Sequence, residues 1–327
     1  MMNPPNWTEA TAAVDAAASI LLVTHVAPDG DAIGSMLGLA NALRARGKQP
    51  DMVVDGGTPD YLRFLPGTEA ILSAVPAHDY DLMISLDSSD EPRTGQAGAA
   101  GRARSRTVIN LDHHASNTGF GAIHLVDTVA VSATEIVTRW VQHMGLTLTL
   151  DIAFPLLTGL VTDTMGFRTS NVRPDTLDLA RDLMAAGAPL NTIMARTLNS
   201  KSYRALQLWR AAMSRIELVD GVIASSVLAD DLRALHFYDP TDADFVSLLI
   251  QVDEAFVAVV FKETFENNIE ISLRSKPGYD VSRVAVSLGG GGHKQAAGAT
   301  IAGTLDEVRA RVMPLLHQTV AAGGASS

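Results

Sequence analysis

Cysteine is absent from all 327 residues. That excludes disulfides and thiolate metal sites, so any bound metal must be held by imidazole and carboxylate, a donor set suited to manganese, magnesium, iron or zinc. Basic residues are also scarce: 25 Lys and Arg stand against 36 Asp and Glu, a formal net charge of -11. Tight non-specific binding of long nucleic acid draws on a basic surface, and this balance argues against it, leaving short anionic ligands held through metal ions. Long apolar runs are missing too. None approaches the roughly 20 residues of a membrane-spanning helix, and the opening MMNPPNWTEA has neither the basic start nor the apolar core of a signal peptide. A cytoplasmic protein without membrane spans is the expectation. No internal repeat is visible, and low complexity is confined to the tail AAGGASS.

What is present is an ordinary globular composition, 47% hydrophobic, in a chain long enough for two cores. From residue 19 to about 190, short apolar runs alternate with helical patterns: ILLVTH, DAIGSMLGLANALRARG closing on Gly47, MVVD, DLMISLD, TVINLDHH and TEIVTRWVQHMG. Alternation at this spacing is the pattern of βαβ units on a parallel sheet. Near residue 188 the pattern changes. After the helical LNSKSYRALQLWRAAMSR, Asp220-Gly221 between two β-type runs is a strong hairpin signal. The strand runs AFVAVVFKE and NIEISLRS follow, then GGGGHKQAAGA and a last helix from about Thr304. This reads as a smaller α+β domain with antiparallel pairing. The expected organisation is an α/β domain over 1–188, a helical linker over 189–213 and the α+β domain over 214–327.

Ligands of parallel sheets gather at the carboxyl ends of the strands. Four acidic and histidine clusters fall at such places: His25, Asp29 and Asp31 in THVAPDGDAIGS, Asp87 in ISLDSSD, Asp112-His113-His114 in INLDHHASN, and Asp163 in GLVTDTMGF. Any one alone reads as a helix cap, a turn or a satisfied core histidine. Carboxylates gathered on one edge of a sheet repel each other unless cations compensate them, and metal is the economical answer. Two ions about 3.5–4 Å apart can share one carboxylate and activate a water between them. Asp29 and Asp31, read as part of an extended loop, would project to one side, each toward its own ion. In GGGGHKQAAGA, Gly290, Gly291 and Gly292 let the backbone approach a phosphate, and His293 and Lys294 add donors. His78, His124, His143, His236 and His317 have no acidic partner at ligand spacing, and Trp140 and Trp209 read as packing. The run from Asp239 to Asp244 reads as a helix N-terminus, not a calcium loop.

In this order, the clusters around Asp112-His113-His114 resemble the DHH phosphoesterase superfamily. GGGGHKQAAGA is similar to the glycine-rich motif of the DHH-associated C-terminal domain in its first subfamily. The resemblance covers nearly the whole chain, and the length and layout are most similar to bifunctional oligoribonucleases (nanoRNases) that are also adenosine 3′,5′-bisphosphate (pAp) phosphatases. It implies an active site in the cleft between a parallel-sheet DHH domain and the smaller DHH-associated domain. Two divalent ions are implied, manganese first and magnesium second, with His25, Asp29 and Asp87 on one and Asp31, Asp87, His113 and Asp163 on the other. Asp87 would bridge, Asp112 would orient a histidine, and His114 would face the substrate phosphate, making these three the catalytic set. Arg274, His293, His114 and the glycines from 290 to 292 would bind substrate. The implied partners are short 5′-phosphorylated RNA oligonucleotides, dinucleotides such as pApA, and pAp; a homodimer stays open.

Rival enzymes share the N-terminal motifs. Family II pyrophosphatases carry a Lys- and Arg-rich C-terminal motif not found here, and RecJ-type exonucleases are usually longer. A cyclic-di-AMP and linear-dinucleotide phosphodiesterase without membrane spans is the alternative. A reading of another class, a non-catalytic RNA-binding protein, is opposed by the complete set of acidic ligands.

Overall fold

The computed structural model describes residues 5–238 and 240–323, and these fall into two compact units that divide between Ser200 and Lys201. Asp239 and the last residues of the tail lie outside the described residues.

The first unit runs α1 (Trp7–Ala16), β1 (Ile20–Val23), α2 (Gly30–Ala45), β2 (Asp51–Val53), β3 (Tyr80–Leu86), α3 (Gly95–Arg104), β4 (Ser105–Asp112), β5 (Ile123–Val126), α4 (Ala133–His143), α5 (Leu150–Asp163), α6 (Pro174–Ala185) and α7 (Leu190–Thr197). All five strands are parallel, in the order β2-β1-β3-β4-β5. The central strands read as unbroken apolar runs because both faces are covered. Leu22 points into the large core with α2, α4 and α5, whereas its neighbours Leu21 and Val23 join Met83 and Ala97 of α3 on the other side.

The strand order reverses between β1 and β3. In such sheets the crevice at the carboxyl ends opens at that reversal. Here β1 runs out into His25 and β3 into Asp87, and Thr24 Oγ1 ties the two ends by donating to Leu86 O at 2.9 Å.

The second unit runs α8 (Tyr203–Met213), β6 (Glu217–Val219), β7 (Val222–Val227), α9 (Ala229–Ala234), α10 (Phe245–Leu249), β8 (Val257–Glu263), β9 (Asn268–Ser275), α11 (Ser282–Ser287), β10 (Gly291–His293), β11 (Ala296–Ala302) and α12 (Leu305–Gly323). Its sheet is ordered β10-β11-β9-β8-β7-β6. The expected hairpin is present: Asp220 and Gly221, at φ 46° and 76°, turn β6 into β7. The expected antiparallel pairing needs one correction. β7 and β8 are parallel, because the chain between them passes through α9 and α10, and a crossover of that length returns a strand in the same direction. The sheet is therefore mixed.

The stretch 189–213, read as a linker, holds α7 and α8. Ile193 of α7 belongs to the core of the first unit, and Leu208 and Ala212 of α8 to a core of the second.

Candidate metal centre

The site begins with helix α2. Asp29 caps it, one carboxylate oxygen accepting from Asp31 N at 2.9 Å and Ala32 N at 3.1 Å. Asp31 lies in the first turn, so only Asp29 keeps the extended backbone expected of both. Donor atoms of Asp29 group with His25 and Asp87, and those of Asp31 with His113 and Asp163, each trio within 4.8 Å.

Asp31 and Asp163 come from the start of α2 and the end of α5, which pack closely because glycine faces the partner helix. An added Cβ at Gly34 would stand 2.5 Å from Pro155 O, and one at Gly159 only 2.9 Å from Asp31 Oδ1.

Asp87 sits at the centre. Its Oδ2 lies 3.5 Å from His25 Nε2, and its Oδ1 lies 3.6 Å from both His113 Nε2 and His114 Nδ1. The residue is buried, has a φ of 54°, and Oδ1 has no hydrogen-bond partner. A non-glycine residue in the left-handed region costs of order 1–2 kcal/mol, and such strain gathers at functional sites. A buried, unpaired carboxylate oxygen costs more unless a cation supplies the missing contact.

The electrostatics point the same way. Burial, followed by the charges of Asp87 and Asp29, pushes Asp31 well above the usual carboxylate range, and burial with Asp31 and Asp87 does the same to Asp163. Burial would raise Asp87 as well, but His25, His113 and His114 outweigh it and hold its carboxyl down to about 2. These carboxylates cannot all be ionised together without added positive charge. The donor set therefore fits divalent cations, all oxygen and imidazole nitrogen.

Each histidine is aimed by its neighbours. His25 Nδ1 is 2.8 Å from Val26 O, which leaves Nε2 toward Asp87. Burial lowers His113, the form a metal ligand needs, and its Nε2 lies 3.6 Å from Asp163 Oδ2. His114 behaves differently. Burial works against its charge, but Asp112, 2.8 Å from Nδ1, and then Asp87 raise it to about 9. Asp112 is fixed in turn by Asn117 Nδ2, which donates to its Oδ2 at 2.6 Å.

Arg274 and His293 lie in the second unit. Arg274 pairs with Ala296 across β9 and β11, and Ala296 pairs with His293 across β11 and β10. Residues directly opposite in a sheet share a face, so both donors rise from the same side. The glycine run has a structural role of its own. An added Cβ at Gly290 would collide with Gly298 O, and one at Gly292 would reach Ala296 O at 2.5 Å, whereas Gly291 faces open space. Among the remaining histidines, His78 does have an acidic neighbour: Nε2 lies 3.4 Å from Asp51 Oδ2, far along the chain, and its ring packs on Tyr80. Trp140 is fully buried in the core.

Sequence reasoning missed the residues behind Asp31. Its Oδ2 accepts from Ala133 N at 2.6 Å, and its Oδ1 from Thr134 N at 2.9 Å and Thr134 Oγ1 at 2.7 Å. The signal was present as Ser132 and Glu135, a capping-box pattern at the start of α4. That pattern announces a helix start and says nothing of what the start will hold.

Residues 19–160 match the DHH family N-terminal domain, and residues 239–320 match the DHHA1 domain. The chain belongs to the DHH family, a family of phosphoesterases. It is 35% identical to the bifunctional oligoribonuclease and PAP phosphatase NrnA of Thermus thermophilus, over 93% of this chain and 91% of that one. An exopolyphosphatase-related protein of Bacteroides fragilis shares the fold with a TM-score of 0.87 at 25% identity, covering 97% of this chain and 95% of that one. Manganese-bound RecJ of Thermus thermophilus shares it more loosely, with a TM-score of 0.57 at 13% identity over 98% of this chain and 56% of RecJ. No described helix is long and apolar enough to cross a membrane.

Proposed function

We propose that the chain is a two-metal phosphoesterase of the cytoplasm that hydrolyses short 5′-phosphorylated oligoribonucleotides such as pApA to mononucleotides and removes a phosphate from pAp. The observation that carries the two-metal part is Asp87, whose two oxygens face separate donor sets. The substrate class is supported by the NrnA relative, whose likeness spans both units.

In this reading His25, Asp29 and Asp87 hold one ion, and Asp31, Asp87, His113 and Asp163 hold the other. Bound divalent ions supply an activated water and offset the charge gathering on the phosphoryl oxygens. Manganese ahead of magnesium is what the resemblance to the family implies. RecJ binds manganese on a related fold. Asp112 keeps His114 protonated, and the imidazolium donates to the substrate phosphate or its leaving oxygen. Arg274, His293 and the backbone at Gly291 receive the far end of the substrate.

A panel of pAp, pApA, five-residue RNA and cyclic-di-AMP, each with manganese and with magnesium, tests this. Mononucleotide release from pApA and adenosine monophosphate from pAp are expected. Turnover of cyclic-di-AMP alone would favour the cyclic-dinucleotide alternative, and binding without turnover the non-catalytic one.

A further inference from the structure

Asp31 is held by the start of a helix about 100 residues away in the chain. A carboxylate only accepts, so Thr134 Oγ1 donates to Asp31 and must accept from Ser132 Oγ, 2.8 Å away. Ser132 Oγ in turn accepts from Glu135 N at 3.0 Å, and a Glu135 oxygen accepts from Val131 N at 3.1 Å. Ser132, Thr134 and Glu135 are all fully buried. A buried carboxylate needs partners, and Glu135 has Arg139 at 2.7 Å and Arg173 at 3.0 Å. Both arginines also reach Asp175 at the start of α6. The first turn of α4 is thus clamped on both sides.

The bonds to Asp31 are unevenly shared. Oδ1 takes two, which fills its lone pairs, while Oδ2 takes one and is the oxygen that faces His113 Nε2, at 3.9 Å. We infer that Thr134 and Glu135 are positioning residues for one of the two ions: α4, locked by Glu135, saturates Asp31 Oδ1 and leaves Oδ2 as the single oxygen aimed at the ion shared with His113 and Asp163. Among the described residues, His25 and Asp29 of the other donor set make no hydrogen bond to Ser132, Thr134 or Glu135. The inference rests on the two-ion reading and adds residues that touch neither metal nor substrate.

Thr134→Val keeps the shape and removes the hydroxyl; Thr134→Ser keeps the hydroxyl and serves as the rescue. Glu135→Gln keeps an acceptor for Val131 N and removes the charge held by the arginines. Each variant is titrated with manganese and followed by electron paramagnetic resonance, which separates a coupled pair from a single ion, with circular dichroism confirming the fold. Wild type and Thr134→Ser should show the coupled pair. Thr134→Val should keep one ion at wild-type affinity and bind the second about 10- to 100-fold more weakly, and Glu135→Gln should weaken the same ion. A folded Thr134→Val with the pair intact, or with both ions weakened equally, overturns the inference. Should Thr134→Val fail to fold, a folded Glu135→Gln with an intact pair overturns it instead. A wild type that binds a single ion at saturating manganese sinks the two-ion reading, and the inference with it.

Discussion

Adjacent histidines in one motif meet opposite environments. Burial lowers His113 below the ordinary imidazole value, whereas Asp112 beside His114 raises that histidine to about 9. His113→Ala should therefore cost a metal ion. His114→Ala should leave both ions bound and lower turnover by about 10²–10⁴-fold, the range of general acid and base groups. Manganese titration beside kinetics separates the two, and ion loss in the His114 variant alone would reverse the roles. The pH dependence follows from the direction of the shift. A group whose folded value is raised is protonated below that value and loses its proton as pH rises through it. In metal-free protein, nuclear magnetic resonance of the His114 imidazole should titrate near 9, and Asp112→Asn should bring it down toward the ordinary 6.5. Bound cations repel an imidazolium, so the loaded enzyme should lose the activity that depends on this proton at a lower pH than 9. Titration near 6.5 in wild type would show that Asp112 does not hold the proton on His114.

At the scale of elements, α2 and α5 must touch for Asp31 and Asp163 to meet. Gly159 is where the approach bears directly on Asp31: an added Cβ would meet Asp31 Oδ1 at 2.9 Å and would press on the Thr134 methyl. Gly159→Ala should destabilise the protein by about 1–3 kcal/mol, the usual cost of overpacking. It should also weaken manganese binding, because the neighbour that must move is a proposed ligand. A thermal melt of the metal-free protein and a titration would show the two effects together, and an unchanged titration would mean the helices adjust without shifting Asp31. Much of this architecture was legible. The runs ILLVTH, DLMISLD and TVINLDHH carry their own strand length and end in the acidic residues and histidines that the sheet gathers. β5 was not legible, being four residues with exposed His124 among them. Nor was the parallel pairing of β7 with β8, because periodicity marks a strand and not its direction. The extended reading failed at Asp31 because a short loop into a helix and a first helical turn look alike over seven residues. Thr134 and Glu135 lay beyond reach for another reason: the contacts that give them meaning span about 100 residues.

For the whole molecule, charge and donors decide which substrates are held. A net charge of -11 argues against tight binding of a long strand, while the second unit offers a local pair, Arg274 and His293, on one face of its sheet. If the metals hold the scissile phosphate and this pair holds the far end, only a substrate that reaches both gains from both. Short strands should be preferred over strands of tens of residues. Arg274→Ala and His293→Ala should raise KM for pApA and pAp, with a loss in kcat/KM of about 10-fold or more for a charge-assisted contact worth about 1.5–3 kcal/mol. A small generic ester such as bis-p-nitrophenyl phosphate reaches the metals without the second unit and should be affected much less. Comparing the two substrates on the same variants is the test, because damage to the metal centre would lower both alike. Equal losses on both substrates, or a wild type that prefers long strands, would show that the second unit does not hold the substrate's far end.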